Sequence, residues 1–368
     1  MDLVVKKGEL FRELQYVQGV VERKTTVPIL ANLLLETTGN ALMITATDLD
    51  VTVQCSCPAA VKVSGALTVS ARKLVEIVRL LPESDVHLKA SGQDWINVTC
   101  ERSRFKIASL AKSNFPDIPA VNGTPVVLSA PALRHMIARC IFAITQEESR
   151  YTLNGALMLG NGKGLSFVTT DGHRLVLITR SLEIPGLKGD LRILVPKKTL
   201  VELSKLTSED LEQVQFGSSE NHLFFRVGER LLVSRILSGQ FPNYEMVIPK
   251  DNDRQVVMNT LDFSDALKRV ATMADEQSHA VRFSFKEGQL DISSASPDYG
   301  EAKESIPVQY QGEPIEIGFN ARYLIEFLSN LESEELILEL KDGETQGLLH
   351  PKGEEGYVYD YVVMPMKL

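Results

Sequence analysis

The sequence predicts an α+β protein made of three tandem copies of one domain, in which two helices pack on antiparallel sheets. A strand motif recurs at Leu42, Leu165 and Leu290, with offsets of 123 and 125 residues. A helix motif recurs at Val69, Val195 and Phe319, with offsets of 126 and 124 residues. Phe115-Pro116 and Phe241-Pro242 form a further pair, with Met364-Pro365 near the matching place. Because each offset is close to one third of the 368 residues, the copies fill the whole chain.

The elements of each copy follow the same order. An amphipathic helix comes first and is predicted over 7–21, 130–143 and 261–274, with Ser129 and Thr260 as helix starts. Strands such as 32–36 and 41–45 follow, joined by a Gly39-Asn40 turn. A second helix is predicted over 72–81, 197–206 and 321–331. Further strands, such as 86–90, 95–100 and 104–110, complete about eight strands per copy.

The domain boundaries are predicted from two linkers. Residues 118–125 and 248–259 are rich in Pro, Gly, Asn and Asp, which favour irregular connections. The predicted domains are therefore 1–122, 123–250 and 251–368.

The charge is unevenly distributed along the chain. The net charge is −9, but the three thirds carry +1, +3 and −13. The six predicted helical segments together carry +8, and the remaining residues carry −17. One interpretation is that Lys and Arg are simply good helix formers. The other is that the polar helix faces form a positive surface suited to a phosphate backbone.

Composition excludes several classes of protein. No apolar run approaches the roughly 18–20 residues of a membrane span, and the N-terminus lacks the apolar core of a signal peptide. We therefore expect a cytoplasmic protein. Cys55, Cys57, Cys100 and Cys140 lack the paired spacing of a metal or redox motif, so they are expected to pack in the core. No cofactor and no metal site are expected.

The most enzyme-like string is Asp171-Gly-His-Arg174, which combines a carboxylate, an imidazole and a guanidinium. No nucleophile motif such as Gly-x-Ser-x-Gly accompanies it, so a binding surface or a structural turn is favoured over catalysis. The string Gly160–Gly164 lacks the spacing of a phosphate loop and precedes a strand, which indicates a hairpin turn.

The C-terminus stays apolar to its last residue, where most chains become polar. A final strand explains part of this pattern. Met364 and Met366, on either side of Pro365, are also suited to lining a groove for apolar peptide side chains.

Several motifs together resemble the bacterial DNA polymerase III beta subunit family, the beta sliding clamps, over the full length. These motifs are Pro28–Asn32, Thr47-Asp-Leu49, Arg102–Phe105, Phe115-Pro116, Arg150–Gly155, Thr169–Leu175, Phe241–Tyr244 and Val363–Leu368. The resemblance implies three DNA-clamp domains per chain and a head-to-tail dimeric ring. Helices would line a hole that holds duplex DNA, and the sheets would form the outer layer. It implies a non-catalytic processivity factor.

The resemblance also implies DNA-binding residues. The matching cations are Lys24, Arg72, Lys73 and Lys198, and more loosely Arg79, Arg134, Arg139, Lys197 and Lys205. Contacts of this kind would be independent of DNA sequence.

The implied dimer interface joins the first domain of one chain to the third domain of the other. The residues on the first-domain side are Lys73, Arg102, Arg104 and Phe105, and those on the third-domain side are Thr272, Met273, Glu301 and Glu304. The charges of the first and last thirds fit such a heterologous contact.

The implied partners are the replicative polymerase alpha subunit, the clamp loader, translesion polymerases and repair proteins, all bound through short peptides. The matching pocket is Leu153, Thr170, Gly172, His173, Arg174, Leu175, Pro242, Val247, Val362 and Met364. An adjoining cleft matches Arg150, Thr152, Asn320, Tyr323, Pro365, Met366, Lys367 and Leu368. Thr152 and Lys367 depart from the Tyr and Arg of many relatives, so an aromatic ring and a fork-shaped donor are lost.

Two other classes of function are left open by the residues themselves. One is a hydrolase that uses Asp171 and His173, and the other is a protein scaffold whose helix charges are incidental.

Overall fold

The computed structural model describes residues 1–22, 26–92, 94–120, 125–145, 147–187, 189–208 and 211–367. These residues form six α-helices and 25 β-strands. No helix in these ranges is long and apolar enough to cross a membrane.

The first copy contains two helices, α1 (Lys7–Val17) and α2 (Ala71–Leu80). Its strands are β1 (Asp2–Lys6), β2 (Asn32–Thr38), β3 (Ala41–Thr47), β4 (Val51–Pro58), β5 (Ala60–Val63), β6 (Ala66–Ser70), β7 (Asp85–Ala90), β8 (Trp95–Cys100) and β9 (Ser103–Leu110).

The second copy contains α3 (Ala130–Cys140) and α4 (Lys197–Leu206). Its strands are β10 (Val126–Ser129), β11 (Gly155–Asn161), β12 (Gly164–Thr170), β13 (Arg174–Ser181), β14 (Leu191–Pro196), β15 (Gln213–Ser218), β16 (His222–Val227) and β17 (Arg230–Arg235). The hairpin predicted at Gly160–Gly164 is confirmed, because it joins β11 to β12.

The third copy contains α5 (Thr260–Ala271) and α6 (Ala321–Leu328). Its strands are β18 (Arg254–Asn259), β19 (Ala280–Lys286), β20 (Gln289–Ser296), β21 (Gly300–Pro307), β22 (Ile315–Asn320), β23 (Glu335–Leu340), β24 (Gly347–Pro351) and β25 (Tyr357–Val363).

All six predicted helices are confirmed, but five end earlier than predicted. The first helix ends at Val17, although Val20 beyond it is still buried. The third helix ends at Cys140 and continues as a 3₁₀ turn over Ile141–Ala143. The helix start predicted at Thr260 is wrong by one residue, because the Asn259 side chain accepts a hydrogen bond from the Asp262 amide at 3.0 Å. Apolar periodicity thus extended past the point where helical hydrogen bonding stops.

The described chain folds into two compact units, and the second copy contributes to both. Unit 1 contains 1–134 and 198–236, and unit 2 contains 135–197 and 237–368. Unit 1 holds a 13-stranded antiparallel sheet, and unit 2 holds sheets of eight and four strands. In unit 1, α1 and α2 pack together against strands that include β3, β4 and β6. In unit 2, α5 and α6 pack on each other and on the four-stranded sheet.

The sheets continue from one copy of the repeat into the next. In unit 1, β4 of the first copy pairs with β17 of the second, with Val51 opposite Ser234. In unit 2, β13 of the second copy pairs with β25 of the third, with Arg174 opposite Val363. The same strand of successive copies therefore makes the same antiparallel connection.

The cysteines are buried and unpaired by disulfides, as the sequence predicts. Burial raises the pKa of the Cys57 thiol to about 12, so it stays protonated and unreactive at neutral pH.

Candidate functional site

An apolar cluster in unit 2 gathers several of the predicted pocket residues. It lies where β13 pairs with β25, with Leu175 opposite Val362. Its buried members are Leu153, Leu157, Val168, Leu175, Leu194, Phe241, Leu348 and Val362, and partly buried Leu159, Leu177, Leu237, Tyr244, Val247 and Ile248 pack against them. Leu153, Leu175, Val247 and Val362, far apart in sequence, thus form one apolar floor.

The turn before β13 is fixed by its own polar side chains. Asp171 Oδ1 accepts hydrogen bonds from the amides of His173 and Arg174 at 3.0 and 3.1 Å. Thr170 Oγ1 donates to the Arg174 carbonyl at 2.6 Å and accepts from the Gly172 amide at 3.1 Å. Gly172 has φ +91°, and a Cβ there would lie 2.5 Å from Arg150 Nη1. Only glycine fits this position without strain.

Arg174 is the buried centre of the site. Its Nε donates to Asp171 Oδ2 at 3.0 Å, Nη1 to Glu326 Oε2 at 2.5 Å and Nη2 to the Phe142 carbonyl at 2.8 Å. The guanidinium lies 4.4 Å from the Tyr323 ring centroid. Burial by itself would lower the pKa of Arg174, but Tyr361, Glu326 and Asp171 outweigh it and raise that pKa. Arg174 is therefore a permanently charged tie between β13 and α6.

The C-terminal segment lies against the same turn. The Met364 amide donates to the His173 carbonyl at 3.0 Å, and the Met366 amide donates to the Gly318 carbonyl at 2.8 Å. Met364, Pro365 and Met366 are half-buried, whereas Lys367 is exposed. Leu368 lies outside the described residues.

The residues predicted for the adjoining cleft also lie near Asp171 and α6. Arg150 Nη1 donates to the Asp171 carbonyl at 2.6 Å. The His173 and Tyr323 rings stack with centroids 6.3 Å apart and 19° between planes. The Asn320 side chain caps α6 by accepting from the Arg322 amide at 2.9 Å. A polar and aromatic rim thus adjoins the apolar floor.

Two residues beside the predicted pocket residue Val247 were missed by the sequence analysis. Met246 precedes Val247 and is 81% exposed, although it is an apolar side chain. Gln346 Nε2 donates to the Val247 carbonyl at 3.2 Å and holds the Val247 backbone in place. A Met beside a predicted pocket residue was a usable signal, whereas no local pattern connects Gln346 to a residue 99 positions away.

Pro242 and Thr152 complete the predicted set. Pro242 is exposed, and Thr152 is half-buried. A Cβ on Gly239, where φ is +107°, would lie 2.7 Å from Thr152 Cγ2, so the chain passes close to Thr152 here.

The geometry does not favour hydrolysis by Asp171 and His173. Both carboxylate oxygens of Asp171 are already occupied by Arg174 and two backbone amides. The His173 ring lies on Tyr323 instead of on a carboxylate. The described residues also include no group of three or more metal-ligating side chains that could hold an ion.

The cations predicted to contact DNA divide into exposed and structural ones. Arg72, Lys73, Arg79, Arg134 and Lys205 are exposed on their helices. Lys24 lies outside the described residues.

Lys197 and Lys198 are half-buried and hold backbone carbonyls. Lys197 Nζ donates to the Ile144 carbonyl at 3.1 Å, and burial lowers its pKa. Lys198 Nζ donates to the Val20 carbonyl at 2.8 Å and pairs with Asp48. In both lysines the ammonium group that would bind a DNA phosphate already donates to groups of the protein.

The prediction for Arg139 is wrong. Arg139 is only 3% exposed, and its Nη1 donates to Glu354 Oε2 at 2.5 Å. Its Nη2 lies 3.5 Å from Glu332, and the guanidinium lies 5.5 Å from the Tyr359 ring centroid. A buried, neutralised arginine cannot reach a phosphate backbone.

The predicted interface residues lie at β9, at β21, just after α5 and, for Lys73, in α2. Arg102, Arg104 and Phe105 are exposed at the start of β9, and Thr272 is exposed after α5. Glu301 and Glu304 lie on β21, but Glu304 already holds Arg269 of its own chain at 2.5 and 2.9 Å. Glu301 has no ion pair among the described residues.

Comparison with known proteins matches three domain families in chain order. The N-terminal, central and C-terminal domains of the DNA polymerase III beta subunit match residues 1–119, 127–243 and 245–367. The chain belongs to this family. Its members are sliding clamps, accessory processivity factors without a catalytic centre, and this beta subunit is one of them.

Individual relatives agree over the whole length. The beta sliding clamp of Pseudomonas putida is 36% identical over 374 residues, which span 100% of both chains. A solved sliding clamp from Bartonella birtlesii, bound to griselimycin, is 35% identical and covers 100% of both chains with a TM-score of 0.95. A clamp from Pseudomonas aeruginosa, solved with a ligand, is 33% identical with a TM-score of 0.93 and the same coverage. The predicted fold class of three tandem clamp domains is thereby confirmed.

Proposed function

We propose that two copies of this sliding clamp close head to tail into a ring around duplex DNA and dock the peptides of partner proteins in the unit 2 pocket. The connection that recurs between copies of the repeat carries the dimer proposal. β4 pairs with β17, and β13 pairs with β25. The equivalent strand of the third copy is β21, which among the described residues pairs on one side only, with β20.

The matching free edge belongs to β9. This strand pairs with β8 through Ser103–Ala108, but with β6 only through Ser109 and Leu110. Most of one edge of β9 is therefore unpaired among the described residues, and unpaired edges tend to recruit another strand. Pairing of β21 with β9 of a second copy continues the pattern and is heterologous, so it closes a ring if the rotation allows.

Charge supports the same direction of pairing. Arg102 and Arg104 are exposed at the β9 edge, and Glu301 is exposed on β21 of the third domain. Opposite charges steer this contact and disfavour a head-to-head arrangement. Phe105, 38% exposed, supplies an apolar contact near Thr272 and Met273.

The exposed helix cations are the proposed DNA surface. Arg79 and Arg134 have no ion pair among the described residues, and the Arg134 side chain donates to the Thr207 carbonyl at 2.9 Å. Arg72 and Lys73 both form ion pairs with Glu76, which partly neutralises their positive charge. Binding through these groups would be electrostatic and would leave the ring free to slide.

The pocket would take short apolar peptide segments. Its floor is the buried cluster around Leu175 and Val362, and its rim carries the His173–Tyr323 stack and the adaptable Met246 and Met364. The proposed partners are a polymerase alpha subunit, a clamp loader, translesion polymerases and repair proteins. The proposed location of these complexes is the cytoplasm.

Topological retention tests the ring. The clamp loaded on closed circular plasmid should remain bound through gel filtration in moderate salt and should leave after the plasmid is linearised. Free exchange from intact circles would refute encirclement. It would also favour the scaffold alternative.

The dimer edge has its own test. The double variant Arg104→Glu, Phe105→Ala should be monomeric in light scattering at micromolar concentration. Lys163→Glu, an exposed turn residue of unit 2, serves as the charge-change control and should remain dimeric. An intact dimer in the double variant would place the contact elsewhere.

Removing Met364–Leu368 tests the pocket. Affinity for a polymerase-derived peptide should fall by at least tenfold, while the dimer should persist. Unchanged affinity would exclude this cluster as the docking site.

A further inference from the structure

The only tryptophan of the chain lies on the outward side of a sheet instead of in a core. Trp95 in β8 is 42% exposed. The neighbouring residues Ile96 and Val98 are buried, as the alternation of a strand requires. Trp95 therefore shares the solvent side of the sheet with Asn97 and Thr99.

The solvent side of the adjacent strands is basic. Lys106 of β9 lies opposite Asn97, and its Nζ is 4.7 Å from the Trp95 ring centroid. Arg104 lies opposite Thr99 on the same strand, and Lys89 of β7 lies opposite Asn97 on the other side.

The charge of this surface is only partly neutralised. Lys106 and Arg104 have no ion pair among the described residues. Lys89 lies 3.4 Å from Asp2, which also accepts a hydrogen bond from His87 at 2.7 Å. On β7 to β9, the outward side chains include three cations against one carboxylate, Asp85.

We propose that this face, centred on Trp95, Asn97 and Lys106, binds single-stranded nucleic acid. An exposed indole offers a stacking surface to any base, and flanking cations follow the sugar–phosphate backbone. An amide such as Asn97 adds hydrogen bonds to base edges. A sheet that presents an aromatic ring between cations is a recurrent design for single strands.

The spacing of the face suits a short segment. Cations two strands apart, such as Lys106 and Lys89, are about 9.6 Å apart. Two successive nucleotides would therefore span this pair, and Arg104 is left to the proposed dimer contact. The face is also compatible with the proposed dimer, because Phe105 lies opposite buried Val98 and shares the inward side, whereas Lys106 faces outward. The proposal does not depend on the ring.

The single tryptophan makes the test direct. Titration of the full-length protein with hexathymidylate at low salt, with selective excitation of the indole, should quench Trp95 fluorescence. At physiological salt the dissociation constant should fall in the range of about 10⁻⁴–10⁻⁶ M. Two phosphate contacts predict a slope of about −1.4 for log K against log salt.

Variants separate this site from general attraction. Trp95→Ala should weaken binding of a labelled hexamer by about 5- to 150-fold, the range measured for loss of one stacked base. Lys106→Gln should reduce the salt slope by about 0.7. The control Lys163→Gln, on an exposed turn of unit 2, should change neither quantity.

Other outcomes would overturn the proposal. Absence of quenching at low salt would do so, as would equal effects of Lys106→Gln and Lys163→Gln. Equal quenching by a hexaglutamate peptide would show an anion surface without nucleic-acid preference. Because the hexamer is too short to be retained topologically, failure here leaves the ring proposal untouched, and failure on circular plasmids leaves this one untouched.

Discussion

Replacing Arg174 with Ala should destabilise unit 2 by about 3–4 kcal/mol, because removing one partner of a buried ion pair leaves the other uncompensated. The Arg174 side chain is 7% exposed and Asp171 is 14% exposed, so this pair contributes most of the loss. Glu326 is 48% exposed and regains water, so its share is small. Asp171 keeps its two backbone hydrogen bonds, which puts the estimate at the lower end of the usual range.

The same substitution should remove peptide binding, since it releases the turn that holds the C-terminal segment. The His173 carbonyl accepts from the Met364 amide, and Arg174 supports the Tyr323 ring. Arg174→Lys should rescue little, because one ammonium cannot reproduce three donors directed at Asp171, Glu326 and the Phe142 carbonyl.

Urea denaturation followed by circular dichroism measures the stability change, and fluorescence polarisation of a labelled peptide measures binding. Arg282→Ala is the control, because its pair with Glu316 is exposed at 48% and 59% and should be worth about 0–1 kcal/mol. A loss below about 1 kcal/mol for Arg174→Ala would refute the view that this network holds the site together.

Three further changes follow from other buried contacts. Asp291→Asn should cost about 1.5–3 kcal/mol at neutral pH in urea denaturation, because hydrogen bonds from Ser305 and Gln289 hold the pKa of Asp291 well below its usual range. A lowered pKa contributes stability above the unfolded value and loses it as the pH falls, so the difference from wild type should shrink below about pH 4. Glu13→Gln should destabilise unit 1 by about 3–5 kcal/mol, since Arg230 loses a buried two-bond partner at 2.8 and 2.9 Å. Phe327→Ala should cost about 3–5 kcal/mol in the same assay, because its fully buried ring stacks 4.4 Å from Tyr361.

Each of these has a matched exposed control. Asp265→Asn, Glu9→Gln and Leu261→Ala should each change stability by less than about 1 kcal/mol. A destabilisation by Asp291→Asn that does not change with pH would contradict the role given to the Asp291 carboxylate. A loss of stability for Glu13→Gln no larger than that for Glu9→Gln would contradict the role given to the Glu13–Arg230 pair. A Phe327→Ala loss equal to that of Leu261→Ala would mean that the stack is dispensable.

The repeated order of helices and strands was predictable because it depends on local periodicity repeated three times. The helix ends were less so, since the apolar stripe runs past the last helical hydrogen bond. The buried state of Arg139 was not predictable from α3 alone. Met136 and Cys140 on the same side of the helix are apolar, and an arginine between them is tolerated only because Glu354 arrives from 215 residues away.

In the pocket, too, residues within sequence motifs were predictable and long-range contacts were not. Leu153, Leu175 and Val362 were found through their motifs, and the structure gathers them on one floor. The role of Gln346 depends on a long-range contact to the Val247 carbonyl, for which no local signal exists. The net charge of a predicted helical segment also proved a poor guide to the charge of the helix itself. The segment 6–24 has a positive net charge, but α1 itself contains two cations and two carboxylates and is neutral.

Successive copies of the repeat meet at two junctions inside the chain, and the proposed dimer adds a junction between chains. The tenth residue of the first helix in each copy shows how these junctions differ. In α1 it is Tyr16, whose ring lies 3.9 Å from the Arg230 guanidinium, and in α3 it is Arg139, buried against Glu354. Both contacts join one copy of the repeat to the next and are shielded from water. In α5 the tenth residue is Arg269, which has no following copy and pairs with Glu304.

That last pair is exposed at 61% and 29%. An exposed ion pair contributes about 0–1 kcal/mol to stability and weakens as the salt concentration rises. A buried pair is screened by salt much less. In the single chain, the third copy therefore lacks the buried contact that the tenth helix residue makes at each of the two internal junctions. A ring assembled in this way should open at its chain–chain contacts while the junctions within each chain stay closed, and its dimer dissociation constant should rise with salt far more steeply than either unit loses stability.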